Sequence, residues 1–241
     1  MLHKTRGIVL YTSNYNDQYS ISHIFTEEFG SVAYLITKGK SKRSKVSRSL
    51  FYPLSIVELE VEHQNLREIH RIKEAKSHLL LNQLPVNPIK GSICIFLAEF
   101  LSKVLKEVQS DKLLFEYILQ SLQVLDLSEE KYANFHLVFM IRISRFLGFY
   151  PDTADYQRGN FFDLQLASFV RYKPVHNYFL NPEESVSFHF LLRMDYKNMH
   201  RFRFSRHERQ EIVRRTLEYY RLHLSYFSDI KSLDILHEIF G

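Results

Sequence analysis

The sequence predicts an α+β protein in which a small barrel of β-strands is followed by an α-helical domain. Up to residue 76 the chain consists of short segments of alternating polarity, which is the period of half-buried strands. The stretch NQLPVNPIKGS at residues 82–92 concentrates Pro and Gly, and apolar residues recur at helical spacing beyond it. We therefore expect two domains, residues 1–80 and residues 81–241.

Five segments account for the predicted barrel. They are TRGIVLYT, YSISHIFTEE, SVAYLITKG, LSIVELEVE and LREIHRIKE, all within residues 5–76. A sheet of this size would expose its edge strands unless it closed on itself, so we predict a closed barrel. A five-stranded barrel is most often an OB-fold.

The second part of the chain carries helical patterns around one less regular region. Ser128 precedes two acids and is expected to cap the third helix, and Ser205 is available to cap a long one. Residues 148–204 predict mixed loops and short helices. The helical segments are residues 89–108, 112–125, 131–147, 205–227 and about 231–240.

The composition indicates a folded protein from a reducing compartment. Hydrophobic residues make up 45% of the 241 residues, enough for a real core. The single cysteine, Cys94, lies in an apolar run, which favours a buried inert thiol and excludes a disulfide framework. The chain shows neither a secretory signal nor an apolar run long enough to span a membrane. We therefore expect a cytoplasmic protein.

The most informative charge pattern is the basic loop, residues 38–48, with the sequence KGKSKRSKVSR. It holds six cations and no acid between two predicted strands. One interpretation is a solvated surface loop. The other, which we favour, is a loop that neutralises phosphates, because OB-fold loops commonly hold single strands. The expected phosphate-binding residues are Lys38, Lys40, Lys42, Arg43, Lys45 and Arg48.

Aromatic residues adjoin the basic loop. Tyr34 lies on the strand before it, and Phe51 and Tyr52 follow it. For any one of these rings, core packing is favoured over base stacking. Of the three, Tyr34 and Tyr52 are the better candidates for stacking on nucleobases.

A second basic surface is predicted at residues 193–209. Arg201, Arg203 and Arg206 alternate there with phenylalanines, which in an extended strand would place cations on one face and rings on the other. The alternative is an amphipathic edge that only packs its rings inward. If the cations are accessible, this surface would extend a path for DNA.

No residue pattern supports an enzyme. The sequence lacks phosphate-binding glycine motifs, a zinc protease motif and a nucleophile elbow, so we predict no catalytic residues and no cofactor. His63 and His70 flank a predicted hairpin turn and could meet across it, but two imidazoles alone make a poor metal site. We therefore predict no metal.

The sequence resembles the bacterial DNA repair protein RecO family over essentially its full length. Three stretches carry this resemblance. The stretch at residues 7–30 is similar to the opening hairpin of the family, although Asp17 stands where the family more usually has Glu. Residues 38–61 resemble its basic loop and the Pro-containing turn that follows. Residues 219–236 resemble its C-terminal signature, through Lys231 and Ser232 among others.

The resemblance implies an N-terminal OB-fold, an α-helical C-terminal domain and a recombination mediator. Such a protein binds single- and double-stranded DNA, anneals complementary strands and, with RecR and often RecF, helps load RecA onto strands coated by single-stranded-DNA-binding protein (SSB). The resemblance also implies an apolar groove with a cationic rim, which would bind the acidic SSB tail. We place Arg142 and Arg145 at this rim. The alternative from another class is a protein adaptor that does not bind DNA.

One departure from the family concerns zinc. Many members carry a four-cysteine zinc site near the position of residues 148–165, and a chain with Cys94 alone cannot form it. We expect an aromatic cluster to supply the stability that a metal would provide there. Its members are Phe149, Tyr150, Tyr156, Phe161 and Phe162.

Overall fold

The computed structural model describes residues 2–38, 46–63 and 67–239, with side chains described up to residue 236. Contacts divide the chain into two compact units, residues 1–127 with 230–236 and residues 128–229 with 237–241. The first two helices therefore group with the strands, and the units divide later in the chain than the domain boundary expected at residue 80.

The first unit begins with the closed five-stranded barrel that the sequence predicts. Its strand order is β1-β2-β3-β5-β4. The first strand pairs antiparallel with both the second and the fourth, while the third and fifth run parallel. This closure confirms the OB-fold expectation. The strands are β1 (Leu2–Asn14), β2 (Tyr19–Thr26), β3 (Gly30–Thr37), β4 (Ile56–Glu62) and β5 (Ile69–Leu79).

Alternate strand residues fill the barrel. Val9, Ile24, Tyr34 and Leu59 lie in one buried cluster inside it. Gly7 is required at its position, because a Cβ there would lie 2.6 Å from the Ile24 side chain. A β-bulge between Val9 and Tyr11 shifts the register of β1, so that residues 11 and 13 take the outer face while Thr12 pairs with buried Ser22.

Two helices follow the strands in this unit, α1 (Pro88–Val104) and α2 (Lys112–Leu127). The helix α1 begins at a proline, and the side chain of its N-cap Asn87 accepts two backbone hydrogen bonds. Arg6 joins the barrel to α2, since its guanidinium pairs with Glu27 at 2.8 Å and with Glu116 at 2.5 Å.

The second unit combines helices with a small sheet that the sequence did not predict. The sheet has the order β7-β6-β8 and lies, with α4, within the region expected to hold only loops and short helices. Its strands are only two or three residues long, too short for a period to show. The elements are α3 (Phe135–Phe146), β6 (Phe161–Asp163), β7 (Ser168–Val170), β8 (Phe179–Leu180), α4 (Pro182–Arg193) and α5 (Arg206–His223), and α6 (Leu233–Ile239) follows in the chain.

The two predicted helix caps have opposite outcomes. The prediction for Ser128 is wrong: α3 begins at Phe135, because Lys131 has a φ of 66° and a helix begun at Ser128 could not continue through it. The prediction for Ser205 is confirmed. Its hydroxyl accepts from the backbone of Glu208 at 3.2 Å, and the Glu208 carboxylate accepts from the backbone of Ser205 at 2.7 Å.

Among the described residues, no helix combines the length and apolar character that crossing a membrane requires.

Candidate nucleic-acid interface

The basic loop lies between β3 and β4 in the chain, and hydrogen bonds join its first residue, Lys38, and the chain just beyond it to the β1–β2 hairpin. Lys38 donates its backbone N–H to Gln18 at 2.7 Å and its ammonium to the carbonyl of Asn16 at 2.5 Å. Beyond the loop, the Thr12 hydroxyl donates to the carbonyl of Phe51 at 3.2 Å. The described cations of the loop are Lys38 and exposed Arg48, whereas Lys40, Lys42, Arg43 and Lys45 lie outside the described residues.

The β1–β2 turn beside these ends is ordered by Asn16. Its side-chain oxygen accepts from the backbone N–H groups of Gln18 at 2.9 Å and Tyr19 at 2.8 Å. Tyr19 in turn pairs with Thr37, the last residue of β3. Thr37 and Lys38, which lead into the basic loop, therefore lie beside a fixed turn.

Tyr34 is not a surface platform, and this expectation is corrected. Its ring has no exposed surface and belongs to the cluster inside the barrel. Burial also raises the pKa of its hydroxyl. The cause is strand register, because residue 34 points inward while its neighbours Ala33 and Leu35 point outward.

Tyr52, by contrast, is accessible. It is 66% exposed and lies two residues after the 3₁₀ turn Arg48–Leu50, which begins at the last residue of the basic loop. The turn after it is closed by two backbone bonds, from Ser55 to Tyr52 at 3.0 Å and from Leu54 to Val9 at 2.7 Å. A cavity of about 730 Å³ adjoins it, with walls that include Leu54, Leu79 and Leu84.

The second basic surface is exposed but is not a strand. Residues Met199–Arg201 form a 3₁₀ turn and α5 begins at Arg206, so the expected extended segment is limited to a few residues. Arg201, Arg203 and Arg206 are nevertheless exposed, while Phe202 and Phe204 are half-buried. Asn134 fixes this bend, since its amide donates to the carbonyls of Met199 at 3.0 Å and Phe202 at 2.8 Å.

Arg142 and Arg145 lie on α3 in different surroundings. Arg142 is half-buried and donates to the carbonyl of Met194, the residue after α4, at 2.7 Å. Arg145 is exposed, and its guanidinium lies 4.4 Å from the centre of the Tyr150 ring. Of the two, Arg145 is the cation available to a ligand.

A groove between α4 and α5 has the wrong charge for an acidic tail. It has a volume of about 300 Å³, and its apolar floor includes Phe188 and Ile212. Its lining carries carboxylates as well as Arg215, which pairs with Glu184 at 2.7 Å. The lining acids are Glu183, Glu184, Glu208 and Glu211.

The expected aromatic cluster is part of a larger ring network around the small sheet. Phe149 stacks on His223 at 5.1 Å, and Tyr156 stacks on His189 at 3.6 Å. Phe162 has no exposed surface and meets Phe188 at 4.7 Å. Ring packing therefore connects the small sheet to α4 and α5, through Phe188 and Tyr219.

His63 and His70 meet across the β4–β5 turn, as the sequence indicates. Their rings are stacked at 4.2 Å, and Phe29 stacks on the other side of His63 at the same distance. Burial, reinforced by the charge of His70, lowers the pKa of His63. Within the described ranges, no group of three or more His, Cys, Asp or Glu side chains could hold a metal ion.

Sequence reasoning missed one exposed aromatic pair. Tyr11 of β1 and His23 of β2 are stacked with centroids 4.2 Å apart and planes 13° apart. The two residues are cross-strand partners only because of the bulge after Val9. Alternation within each strand places both on the outer face, but only the pairing register brings them together.

Comparisons with known proteins agree with the fold. The family described as Recombination protein O N terminal matches residues 1–79, and the family described as Recombination protein O C terminal matches residues 87–233. The proteins called DNA repair protein RecO in Azobacteroides pseudotrichonymphae and Phocaeicola vulgatus are 59% and 47% identical to this chain. That of Bacteroides fragilis is 42% identical. Each of these matches covers 100% of both chains.

The N-terminal match ends at the last residue of β5, and the C-terminal match begins at Asn87, which caps α1. Together with relatives that align from end to end, these matches show that the chain belongs to the RecO family of DNA repair proteins.

Proposed function

We propose that this chain is a recombination mediator that binds single- and double-stranded DNA and anneals complementary strands. With RecR and RecF, it would help load RecA onto strands coated by SSB. The observation that carries the proposal is the position of the basic loop: Lys38 at its start donates to Asn16 in the β1–β2 turn of an OB-fold barrel, and Phe51, three residues after it, accepts from Thr12 of β1. Membership of the RecO family supports the repair context.

Phosphate contacts explain binding without sequence preference. The six cations of residues 38–48 neutralise backbone phosphates, which positions a strand and does not read its bases. If four to six of them bind phosphates at once, the affinity for single strands falls with salt with a slope of about −3 to −4. Arg201, Arg203 and Arg206 offer a further exposed basic surface for DNA.

Annealing follows from the same neutralisation. Two complementary strands repel each other through their phosphates, and each neutralised phosphate lowers this repulsion. The protein then accelerates pairing without a reactive side chain, so catalytic residues and cofactors are not required. A cytoplasmic, nucleoid-associated location fits such a role.

The SSB tail is assigned to the second unit. We place its carboxylates at Arg145, which is exposed on α3, with Arg142 beside it. The groove between α4 and α5 is unsuitable, because its glutamates would repel an acidic peptide.

The alternative is a protein adaptor, for which the apolar cavity of about 730 Å³ beside Tyr52 is the specific observation. An annealing assay separates the two functions. Complementary oligonucleotides, one with a donor and one with an acceptor dye, are mixed with and without the protein at several salt concentrations. The proposed function predicts faster pairing that fades as salt rises. An adaptor leaves the pairing rate unchanged at every salt concentration.

A further inference from the structure

The outer face of the barrel carries an aromatic stack that is open to solvent. Tyr11 and His23 are direct cross-strand partners with nearly parallel rings, 4.2 Å apart. Tyr11 keeps 42% of its surface exposed, and His23 is half-buried beneath it. Two rings that only packed the core would both be buried, whereas Tyr11 is exposed, so packing alone does not account for this arrangement.

The strand residues around the stack form an uncharged surface. Ile21, Ala33 and Leu35 point outward from β2 and β3, and all three are half-buried. Their positions follow from the same register that turns Tyr34 inward. The stack therefore spans β1 and β2 and adjoins the face formed by the second and third strands, which in OB-folds holds oligonucleotides.

Charges of both signs lie at the margins of this surface. Exposed Arg71 of β5 is paired with Leu35, and Lys38 follows β3 at the end that meets the β1–β2 turn. Acids are also present at the margins, with Asp17 in that turn and Glu62 opposite Arg71 across β4 and β5. Cations thus lie at two edges of the uncharged surface, and one of them begins the basic loop.

The chemistry of the pair fits a nucleobase. Burial lowers the pKa of His23, which favours the neutral imidazole at pH 7. A neutral His23 ring stacks on one side of the Tyr11 ring, and Tyr11 keeps 42% of its surface exposed, which a base could cover by stacking. Such stacking tolerates every base, because each has a π-face.

We propose that Tyr11, supported by His23, is a stacking platform for the bases of a single strand whose phosphates pass Lys38 at the end of β3. This inference rests on the proposed DNA binding and names a site that the basic loop does not supply. Phosphate contacts and base stacking would then occupy adjoining parts of one barrel. Tyr11 takes the role that the sequence suggested for Tyr34.

The absence of tryptophan from the sequence makes a direct test possible. The variant Tyr11→Trp places the sole indole of the full-length chain in the stack. Its emission is followed while an oligothymidylate is added, and again with an abasic oligonucleotide of the same length, which offers phosphates without bases. The inference predicts quenching by the oligothymidylate and little change with the abasic strand. Binding of the oligothymidylate without quenching would overturn it.

A second measurement uses substitutions and anisotropy. Tyr11→Ala is expected to weaken oligothymidylate binding by about 5-fold or more, the loss typical of one stacked base. Binding of the abasic strand should change by less than about 2-fold, since phosphate contacts remain. The matched control is Tyr172→Ala, because Tyr172 is 78% exposed and is flanked by Arg171 and Lys173.

The outcomes separate the two proposals. Equal oligothymidylate affinities for the wild type and Tyr11→Ala would reject the stacking site while the proposed DNA binding stands. If the wild type binds neither oligonucleotide near physiological salt, both proposals fail. Tyr11→Leu keeps the bulk on the sheet face and should reproduce the loss if the alanine variant is destabilised.

Discussion

Glu99 of α1 holds Ser232 through two hydrogen bonds, one from the backbone N–H at 2.8 Å and one from the hydroxyl at 2.6 Å. The backbone of Lys231 adds a third bond at 3.0 Å. Ser232 directly precedes α6, so the carboxylate fixes the start of that helix within the first unit. This contact gives a structural role to two residues of the C-terminal signature.

Removing this carboxylate should destabilise the protein. Glu99→Ala leaves the donors of residues 231 and 232 without their acceptor, and we expect a loss of about 1–3 kcal/mol in the free energy of unfolding. Burial by itself would raise the pKa of Glu99, but the bonds from Ser232 and Lys231 outweigh it and lower the pKa. The contribution is therefore complete above about pH 4.5 and lost as the pH falls through the lower folded value. Urea unfolding of both proteins at neutral and acidic pH tests this, and equal stabilities at neutral pH would contradict it.

Replacing either of two tyrosines near the basic loop by alanine should have very different effects on stability. Tyr34→Ala empties part of the barrel core and should cost roughly 3–5 kcal/mol of stability, as for other large buried rings. Tyr52→Ala changes an exposed side chain, so stability should stay within about 0.5 kcal/mol. Chemical unfolding measures both, and a small loss for Tyr34→Ala would contradict its place inside the barrel.

The histidine stack at the β4–β5 turn predicts acid sensitivity. Burial lowers the pKa of both His63 and His70, so the folded state binds protons more weakly than the unfolded chain. Stability from this source is complete above about pH 6.5 and decreases as the pH falls below that value. We expect His63→Phe, which keeps a ring between Phe29 and His70, to lose less stability than the wild type between pH 7.5 and 5.5. Parallel pH curves from urea titrations would refute this account.

The barrel could be predicted from sequence because its strands alternate in polarity and end at clear turns. Alternation alone does not reveal which face points inward, and for this reason the sequence leaves Tyr34 as a candidate for stacking although it is buried. The same limit hid the pair of Tyr11 and His23, since a bulge sets their register. Pairing across strands is a long-range property that a single sequence does not display.

Local signals succeeded in the helical part where the cap chemistry was complete. Ser205 and Glu208 satisfy each other, and α5 begins as predicted. Ser128 is a suitable cap residue, but the positive φ of Lys131 prevents a helix that begins there from continuing. At residues 201–204 the alternating Arg and Phe suggested a strand, although the chain only needs to bend there to bury its rings.

The basic loop is expected to bind DNA phosphates, and charge substitution with a matched control tests this expectation. The loop variant changes Lys40, Lys42, Arg43 and Lys45 to Ala. The control removes the same charge from exposed residues elsewhere, by changing Lys106, Arg158, Arg171 and Lys197 to Ala. Circular dichroism establishes that both variants are folded.

The decisive measurement is the fluorescence anisotropy of a labelled single-stranded oligonucleotide titrated with each protein across a salt series. We predict a slope of log affinity against log salt of about −3 to −4 for the wild type and the control. Each lost phosphate contact on a single strand reduces that slope by about 0.7, so the loop variant should lose most of it. Equal slopes and affinities for the wild type and the loop variant would contradict the claim.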